Sequence, residues 1–406
     1  MEDVLSAISK MELFGVDAKI IYLDNNATTR CAPEVFNAML PFFQADYGNP
    51  ASPHLMGRRA AEAVEKARQQ VADCLECDAR EVFFTGGATE ANNLVLLGLS
   101  SLDNPRRKIV TSAIEHKSVL EPLNYLSQRG FSVVNIPASS TGLVDLSVAE
   151  KVIDKNTLLV SIQAANNEVG TIQPIRELTS LAHANGAFMH CDAAQVLGKV
   201  PVSISALGAD FLSFSSHKAY GPKGIGFLVA RRSFGAKKLV PVLFGGGQEA
   251  GLRPGTLNVP GIVGTGVACE ICLKHVFEEQ ERIARLRDEL ETRLRERSPL
   301  VSFACASSPR LPGTTSILIH GITADVLITH LPDLCISIGS ACSSGALTPS
   351  HVLTAIGYSR DVSRTAVRLS LGRYNTNEEI EYAVARISCA IDELSSNGTF
   401  GLLSQR

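Results

Sequence analysis

Short apolar, β-rich runs recur along the chain from Glu81 onward, and segments with helical periodicity lie between several of them. The runs cover residues 81–85, 108–112, 132–137, 158–163, 188–192, 211–215 and 225–230. Apolar strands that alternate with helices are typical of a mostly parallel sheet covered by helices on both faces. The pattern therefore predicts an α/β fold.

Polar clusters follow five of the predicted strands. They are Gly86-Gly87-Ala88-Thr89, Glu115-His116, Asn166-Asn167-Glu168, Asp192-Ala193-Ala194-Gln195 and Ser215-Ser216-His217-Lys218. Ligands of open α/β sheets bind outside the carboxyl ends of the strands. We therefore expect the five clusters to share one site.

Helical patterns flank the predicted sheet. Residues 33–72 are predicted to form helices that are interrupted by the turn Tyr47-Gly48-Asn49-Pro50. A long amphipathic helix is predicted over residues 269–297, with Ile283, Leu286, Leu290 and Leu294 on one face. This helix is expected to lead into a second domain that runs to the C-terminus.

The composition is that of an ordinary globular protein. Of 406 residues, 45% are hydrophobic and 19% charged, which excludes a mainly disordered chain. The net charge of −3 offers no broad basic field, so no direct nucleic-acid binding is expected. The first residues are acidic and no apolar signal-peptide core follows them, nor does any run reach the roughly 18 residues of a membrane span. We therefore expect a cytoplasmic protein with no membrane association.

Ten cysteines are scattered through the sequence. In a reducing compartment most of them should be free thiols that behave as small buried hydrophobes. Two Cys-x-x-Cys pairs, Cys74/Cys77 and Cys269/Cys272, raise the alternative of a zinc site. Because both pairs lie in apolar helical patterns far apart in the sequence, we favour core positions and predict no metal.

Cys342 differs from the other cysteines. It lies in Ser337-Ile338-Gly339-Ser340-Ala341-Cys342-Ser343-Ser344-Gly345, a run of small residues without apolar periodicity. Functional residues are often carried by loops, so this context favours a reactive thiol. The alternative is a turn cysteine without a role.

Three further features indicate side chains or turns that could react with a ligand or bind it. Lys218 follows a strand within a Ser/Gly-rich loop, and a buried lysine is the residue type that forms Schiff bases, although a surface turn lysine is the alternative. Asp192 ends an apolar strand, where it either pairs with a cation such as a protonated pyridine or caps the next helix. The Gly86-Gly87 turn before a helix is suited to bind an anion, with the Thr89 hydroxyl as an added donor.

Nearly the whole chain, from Tyr22 to Ile380, resembles the pyridoxal-phosphate-dependent cysteine desulfurases of the NifS/IscS type (group I). The motifs that carry the resemblance occur in the family order. They are the five strand-end clusters, Asp24-Asn25-Asn26-Ala27-Thr28-Thr29, Gly48-Asn49-Pro50, Gly245-Gly246-Gly247-Gln248-Glu249, Arg253-Pro254-Gly255-Thr256, Gly339-Ser340-Ala341-Cys342 and Arg368-Leu369-Ser370-Leu371-Gly372-Arg373.

The resemblance implies a fold-type I transferase. Its large domain would have a mostly parallel seven-stranded sheet, and its small α+β domain would carry the catalytic cysteine loop. We expect residues 29–275 to form the large domain, and residues 1–28 and 276–406 the small one.

The resemblance also implies a role for each site residue. Lys218 would bind the pyridoxal phosphate covalently and later move protons, and Asp192 would pair with the pyridine nitrogen. Gln195 would bind the ring hydroxyl, and His116 would stack on the ring and help proton transfer as a catalytic residue. The phosphate would be held by Thr89, Ser215, His217 and, from the other subunit of a homodimer, Thr256. Ala88 would also bind the cofactor.

Arg368, helped by Asn167, would bind the carboxylate of the substrate L-cysteine. Cys342 would be the nucleophile that takes the sulfur as a persulfide, leaving L-alanine. The sulfur would then pass to an acceptor protein that the sequence does not identify, for iron–sulfur cluster assembly, tRNA thiolation or DNA phosphorothioation. The last residues of the chain do not resemble the IscS docking tail, and about 20 residues precede Tyr22, which puts the usual scaffold partner in doubt.

Two alternatives to a cysteine desulfurase are kept. One is a selenocysteine lyase, which would have no need to store a persulfide on Cys342. The other is a catalytically silent paralogue that acts as a docking subunit, against which the full set of Lys218, Asp192, His116 and Cys342 argues.

Overall fold

The computed structural model describes residues 20–231, 239–338 and 349–396. In chain order its strands are β1 Ile21–Tyr22, β2 Val82–Thr85, β3 Lys108–Ser112, β4 Ser132–Ile136, β5 Thr157–Gln163, β6 Phe188–Asp192, β7 Phe211–Ser215, β8 Gly226–Ala230, β9 Val301–Phe303, β10 Thr314–Ile319, β11 Leu334–Cys335, β12 Ser337–Ile338 and β13 Ala366–Ser370. The helices are α1 Pro33–Met39, α2 Pro41–Gln44, α3 Leu55–Leu75, α4 Ala88–Ser100, α5 Lys117–Ser127, α6 Leu146–Val152, α7 Ile175–Ala184, α8 Ile204–Leu207, α9 Val259–Arg297, α10 Ala324–Thr329, α11 His351–Ala355, α12 Arg360–Ser363 and α13 Asn377–Ser396.

A seven-stranded sheet with the order β2-β8-β7-β6-β5-β3-β4 forms the centre of the fold. Strand β8 is antiparallel to both of its neighbours, and the other pairs are parallel. Every predicted strand is present, with ends that differ by at most one residue. The predicted α/β class with a mostly parallel sheet is therefore confirmed.

The direction of the strands explains why the polar clusters meet. Because β8 alone is reversed, β2, β3, β5, β6 and β7 all end at the same edge of the sheet. Strands β2, β5 and β7 are buried along their whole length, so the first position that can carry a polar group toward solvent is the strand end.

Helix α9 begins ten residues earlier than the sequence predicted, at Val259, and joins two hydrophobic cores. Its first half packs in the core that contains the sheet, through Ile262 and Cys269. Its second half packs in a separate core through Ile283 and Leu290, as the amphipathic pattern predicted. By length and composition α9 could cross a membrane, but 56% of its most apolar window is buried inside the protein, as in a core helix.

The second core combines both ends of the described chain. A four-stranded antiparallel sheet with the order β12-β13-β10-β9 packs against α9 and α13, and β1 pairs in parallel with β11. Ile21 and Leu23 lie in this core. The two cores support the predicted division into residues 29–275 and the two flanking segments, which stays a prediction.

Candidate active site

A cavity of about 650 Å³ lies at the edge of the sheet where the parallel strands end. All five polar clusters line it, and the Glu115-His116 cluster does so through His116. The predicted site residues in its wall are Ala88, Thr89, His116, Asn167, Asp192, Gln195, Ser215, His217 and Lys218.

The turn between β2 and α4 forms one end of the cavity. Gly87 has a φ of 150°, which favours glycine, and a Cβ atom placed on Gly226 would lie 2.7 Å from the Cα of Gly87. This close approach sets the first turn of α4 beside β8. The first N–H groups of a helix have no partner within the helix, so Ala88 and Thr89 are placed to bind an anion. Ser215 lies beside Gly87.

Glu90 adds a negative charge beside the same turn. One of its carboxylate oxygens accepts the Gly86 N–H at 2.9 Å, and the other accepts Nε of Arg253 at 2.9 Å. The pairing with Arg253 offsets the charge of Glu90, and the Gly86 contact holds the glycine turn in place.

Asp192 is anchored by two hydrogen bonds. Its Oδ2 accepts Nδ2 of Asn92 at 2.8 Å, and its Oδ1 accepts the Ala194 N–H at 3.0 Å. The residues after Asp192 form turns and no helix, so the alternative that Asp192 caps a helix is wrong. The hydrogen bond to Ala194 instead caps the first of these turns. A carboxylate held in this way at the cavity wall is suited to pair with a cationic ring nitrogen.

His116 belongs to the same network. Its Nδ1 accepts the Ser118 N–H at 3.1 Å and lies 2.8 Å from the Ser118 hydroxyl, which in turn accepts Nδ2 of Asn92 at 2.8 Å. Since Nδ1 is an acceptor, the proton of the neutral ring is on Nε2. Burial lowers the pKa of His116, which keeps the ring neutral.

Lys218 ends a 3-10 turn, Ser216–Lys218, that follows β7 directly. The carbonyl of His217 in this turn accepts both the N–H and the hydroxyl of Thr29, each at 2.8 Å. The His217 ring contacts the Thr28 hydroxyl at 3.0 Å. Burial, followed by the nearby cations Lys218 and Lys223, lowers the pKa of His217 to about 4. This surplus of positive charge favours an anionic ligand.

Arg368 is buried, with 3% of its surface exposed. It donates to Oδ1 of Asp24 at 2.6 Å and to the main-chain carbonyl of Asn167 at 2.9 Å. Its Nε is buried without a hydrogen-bond partner among the described residues. An unsatisfied guanidinium N–H next to the cavity wall is a ready donor for a carboxylate.

Three predicted site residues do not line this cavity. Arg368 contacts the lining residue Asn167 but is not itself part of the wall. Thr256 is exposed and lines a separate depression that also contains Arg68 and Glu249. Cys342 lies outside the described residues.

Sequence reasoning missed four polar residues of the site: Asn92, Ser118, Lys199 and Asp24. Asn92 is fully buried in the first turns of α4, and a polar residue on the apolar face of a helix is the pattern that could have identified it. Lys199 contacts Gln195 and Asn26, and nothing in its local sequence distinguishes it from a surface lysine.

The cysteine pairs require a correction. The sequence separation of Cys74/Cys77 and Cys269/Cys272 suggested that they lie apart, but α3 and α9 pack together and bring them into one cluster. Even so, no group of three or more His, Cys, Asp or Glu side chains in the described part of the chain is arranged to hold a metal ion.

Comparison with known proteins identifies the family. The family aminotransferase class-V matches residues 21–383. The chain is 40% identical over 376 residues to a cysteine desulfurase IscS of Rickettsia akari (strain Hartford), with 92% of each chain covered. A solved NifS-like protein is 39% identical, with a TM-score of 0.85 over 92% of this chain and 100% of that chain.

A structure of SspA in complex with cysteine is 36% identical, with a TM-score of 0.77 over 87% of this chain and 99% of that chain. These matches confirm the resemblance predicted from the motifs: the chain belongs to the class-V aminotransferase family, whose cofactor is pyridoxal phosphate.

Proposed function

We propose that this chain is a cysteine desulfurase that converts L-cysteine to L-alanine and takes the sulfur onto Cys342 as a persulfide. The observation that carries the proposal is the convergence of Lys218, Asp192 and His116 on one cavity. The similarity to an IscS cysteine desulfurase and to a solved structure that contains cysteine supports the same activity.

The donor set of the cavity fits pyridoxal phosphate. The Gly86-Gly87 turn and the start of α4 suit its phosphate, the anchored Asp192 carboxylate suits its pyridine nitrogen, and Lys218 suits its aldehyde. When bound, the cofactor provides an electron sink for charge that develops at the substrate α-carbon.

Each cofactor-binding residue has a proposed part. Ala88, Thr89, Ser215 and His217 would hold the phosphate. Lys218 would hold the aldehyde and later move a proton at the substrate α-carbon. Asp192 would hold the ring nitrogen, Gln195 would donate to the ring hydroxyl, and His116 would lie against the ring and help proton transfer. The Asn92–Ser118 bridge orients both Asp192 and His116 for these tasks.

Arg368 binds the substrate carboxylate, and Asn167 positions it. The Asn167 carbonyl holds one guanidinium nitrogen, and the buried Nε remains available for the carboxylate. Asp24 occupies the other side of the guanidinium, so Asp24 sets its orientation. A bidentate carboxylate contact would require Arg368 to exchange part of its contact with Asp24.

The sulfur step is carried by Cys342. Its thiolate bonds to the substrate sulfur as the substrate C–S bond breaks, and the carbon takes up a proton to become the methyl group of alanine. The persulfide then passes to an acceptor protein in iron–sulfur cluster assembly, tRNA thiolation or DNA phosphorothioation.

The working unit is proposed to be a cytoplasmic homodimer. Thr256 is exposed and lies outside the cavity of its own chain, which supports a role at the phosphate site of the other subunit. We expect the Thr256→Ala enzyme to bind pyridoxal phosphate more weakly while remaining folded.

The decisive experiment uses Cys342→Ser. We expect this variant to keep the visible absorbance of the cofactor and its spectral change on adding L-cysteine, and to lose sulfide release in the presence of a thiol reductant. Cys389→Ser is the matched control, because Cys389 is exposed on α13 and is outside the cavity. Undiminished sulfide release by Cys342→Ser would overturn the proposal.

The same assay separates the two alternatives. A selenocysteine lyase would turn over L-selenocysteine much faster than L-cysteine and retain this activity in Cys342→Ala. A silent docking paralogue would show no visible absorbance and no change on adding L-cysteine. Trapping persulfide-linked proteins on Cys342 in the native enzyme would identify the acceptor.

A further inference from the structure

A buried tyrosine that follows Lys218 by two residues has an unusual backbone conformation. Tyr220 has a φ of 62°, in the left-handed region that bulky residues rarely adopt. Only 4% of the residue is exposed. Such a conformation costs free energy and persists only where the surrounding contacts hold it, and it is found most often at functional sites. The fold must therefore hold Tyr220 in place through several contacts.

The main chain of Tyr220 is held by the segment that leads into α1. Its N–H donates to the Thr29 hydroxyl at 2.8 Å, and its carbonyl accepts the Ala32 N–H at 2.9 Å. The hydroxyl of Thr29 also donates to the carbonyl of His217, the residue before Lys218. The same threonine therefore fixes the chain on both sides of Lys218.

The side chain of Tyr220 reaches the turn that follows β13. Its hydroxyl oxygen accepts the Arg373 N–H at 2.6 Å, and the Arg373 guanidinium carbon lies 4.2 Å from the centre of the Tyr220 ring. A Cβ atom placed on Gly372 would lie 2.7 Å from that hydroxyl oxygen, so the absence of a side chain at this position makes room for the contact. The tyrosine and the turn are therefore closely fitted to each other.

The turn is in turn held by α9. The Arg373 guanidinium donates to both carboxylate oxygens of Glu279, with Nη2 at 3.0 Å from Oε2. Arg282, one turn further along α9, donates to the carbonyls of Arg373 and Asn375 at 2.6 and 2.9 Å, respectively. The hydroxyl of Tyr220 therefore binds a turn whose position is fixed by the helix that joins the two cores.

Tyr220 thus connects the two halves of the candidate site. Lys218 follows β7 of the seven-stranded sheet, whereas Arg368 lies on β13 of the four-stranded sheet, shortly before Arg373. The proposed reaction requires the amino group of L-cysteine near Lys218 while its carboxylate is bound by Arg368. Because the two residues follow or lie on strands of different sheets, their separation depends on the contacts that join those sheets.

We propose that Tyr220 is a positioning residue that sets the separation between Lys218 and Arg368. The inference rests on the proposed function, because it assigns these two groups to the amine and the carboxylate of one α-amino acid. Asp24 orients the Arg368 guanidinium, whereas Tyr220 fixes where its strand lies relative to the lysine. Loss of the Tyr220 hydroxyl contact lets Arg368 move relative to the amine position, which weakens the binding of amines that carry a carboxylate.

The test compares the wild-type holoenzyme with Tyr220→Phe, which removes only the hydroxyl. Each protein is titrated with L-alanine and with ethylamine, and the visible absorbance of the cofactor reports binding. L-alanine has the carboxylate that Arg368 would bind, and ethylamine lacks it. We expect Tyr220→Phe to bind L-alanine about tenfold more weakly, as for loss of one buried hydrogen bond, and to bind ethylamine as wild type does. Equal affinity of both proteins for L-alanine, or an equal loss for both amines, would overturn the proposal.

Tyr125→Phe is the matched control. Tyr125 also has an arginine over its ring, with Arg129 at 4.4 Å from the ring centre, but it is exposed on α5. This variant should bind both amines as wild type does.

Amide hydrogen exchange of the apoenzymes tests the contact without the cofactor. The Arg373 N–H should exchange faster in Tyr220→Phe than in wild type or Tyr125→Phe, because it has lost its acceptor. Equal exchange at Arg373 in all three proteins would refute the positioning role. Absence of sulfide release from L-cysteine by the wild-type enzyme would instead refute the proposed function, so the two failures are distinguishable.

Discussion

The side-chain nitrogen of Lys199 lies 2.6 Å from Oε1 of Gln195 and 2.7 Å from Oδ1 of Asn26. Because a lysine offers N–H donors, Oε1 of Gln195 must face Lys199, and Nε2 of Gln195 must face the other way. There it donates to the Asn26 carbonyl at 3.0 Å, with its second N–H left for the cavity. Lys199 therefore fixes which end of the Gln195 amide faces the cofactor.

Lys199→Met should weaken cofactor binding, because it removes the hydrogen bond that orients the Gln195 amide. We expect the pH titration of its visible absorbance to shift in the same direction as in Gln195→Leu, and the cofactor affinity to fall about tenfold, as for loss of one buried hydrogen bond. Lys199→Arg keeps a donor and should restore the wild-type titration. If Lys199→Met titrates as wild type while Gln195→Leu does not, the positioning role is wrong.

Asn92→Ala should destabilise the site because it removes the side chain that holds Asp192 and Ser118. The Nδ2 atom of Asn92 donates to both Asp192 and Ser118 at 2.8 Å, and its loss leaves a buried carboxylate oxygen without a partner. We expect the free energy of unfolding to fall by about 1–3 kcal/mol and the cofactor to dissociate more readily. Urea denaturation and dialysis of the holoenzyme measure these effects. Asn124→Ala, on the exposed face of α5, is the control and should change neither.

Gly226→Ala should weaken phosphate binding without touching a charged group. The new Cβ would lie 2.4 Å from the carbonyl oxygen of Phe214 and 2.7 Å from the Cα of Gly87, so the glycine turn must move. We expect at least a tenfold loss of affinity for pyridoxal phosphate, measured by titrating the apoenzyme. Gly247→Ala has open space for the added methyl group and serves as the control. Equal affinities in the two variants would contradict this account of the turn.

Glu249→Ala should destabilise the large sheet strongly. Its carboxylate accepts both Nη atoms of Arg68, at 2.8 and 2.9 Å, and the Phe84 N–H at 2.7 Å. Only 1% of the Glu249 side chain is exposed, and its removal leaves the largely buried Arg68 guanidinium with the exposed Glu65 as its remaining ionic partner, at a cost of about 3 kcal/mol. Glu381→Ala breaks an exposed pair with Arg293 and should cost less than about 1 kcal/mol by the same urea measurement.

Glu115 should make the protein less stable as the pH rises. Burial raises its pKa from 4.5 to about 8, so the folded state keeps a proton that the unfolded state loses between these values. The free energy of unfolding should therefore decrease with rising pH across this window, by at most about 1.4 kcal/mol per pH unit from this group. Glu115→Gln should remove this part of the slope in urea denaturation between about pH 5 and 8. Glu121→Gln, exposed on α5, should leave the slope as in wild type.

Much of the fold could be predicted from local sequence patterns. The strands from Val82 to Ala230 were predicted to within one residue, since a fully buried strand needs a continuous apolar run bounded by polar or glycine residues. The strand-end position of Asp192 and Lys218 follows from the same pattern. The start of α9 was missed by ten residues because Val259 to Ala268 is apolar on more than one face, as expected where a helix enters a core.

Packing between distant segments decided the rest. Asn92 meets Asp192, and Asp24 meets Arg368, across 100 and 344 residues of sequence, respectively. Periodicity reports only which face of an element is buried, not which partner covers it, so neither contact could be predicted. The same limit hid the packing of the Cys74/Cys77 and Cys269/Cys272 pairs in one core, between α3 and α9.

The sequence by itself determined the family, the order of the strands along the chain and the kind of chemistry at their ends, because motifs and apolar runs are local properties. Only the tertiary structure decided that β8 is reversed, so that the other six strands share a direction and their polar ends converge. It also decided which partners hold the charged groups of the site, such as Asn92 for Asp192 and Asp24 for Arg368. A buried carboxylate or guanidinium must find its hydrogen bonds wherever packing brings a donor or acceptor, and that depends on the whole fold.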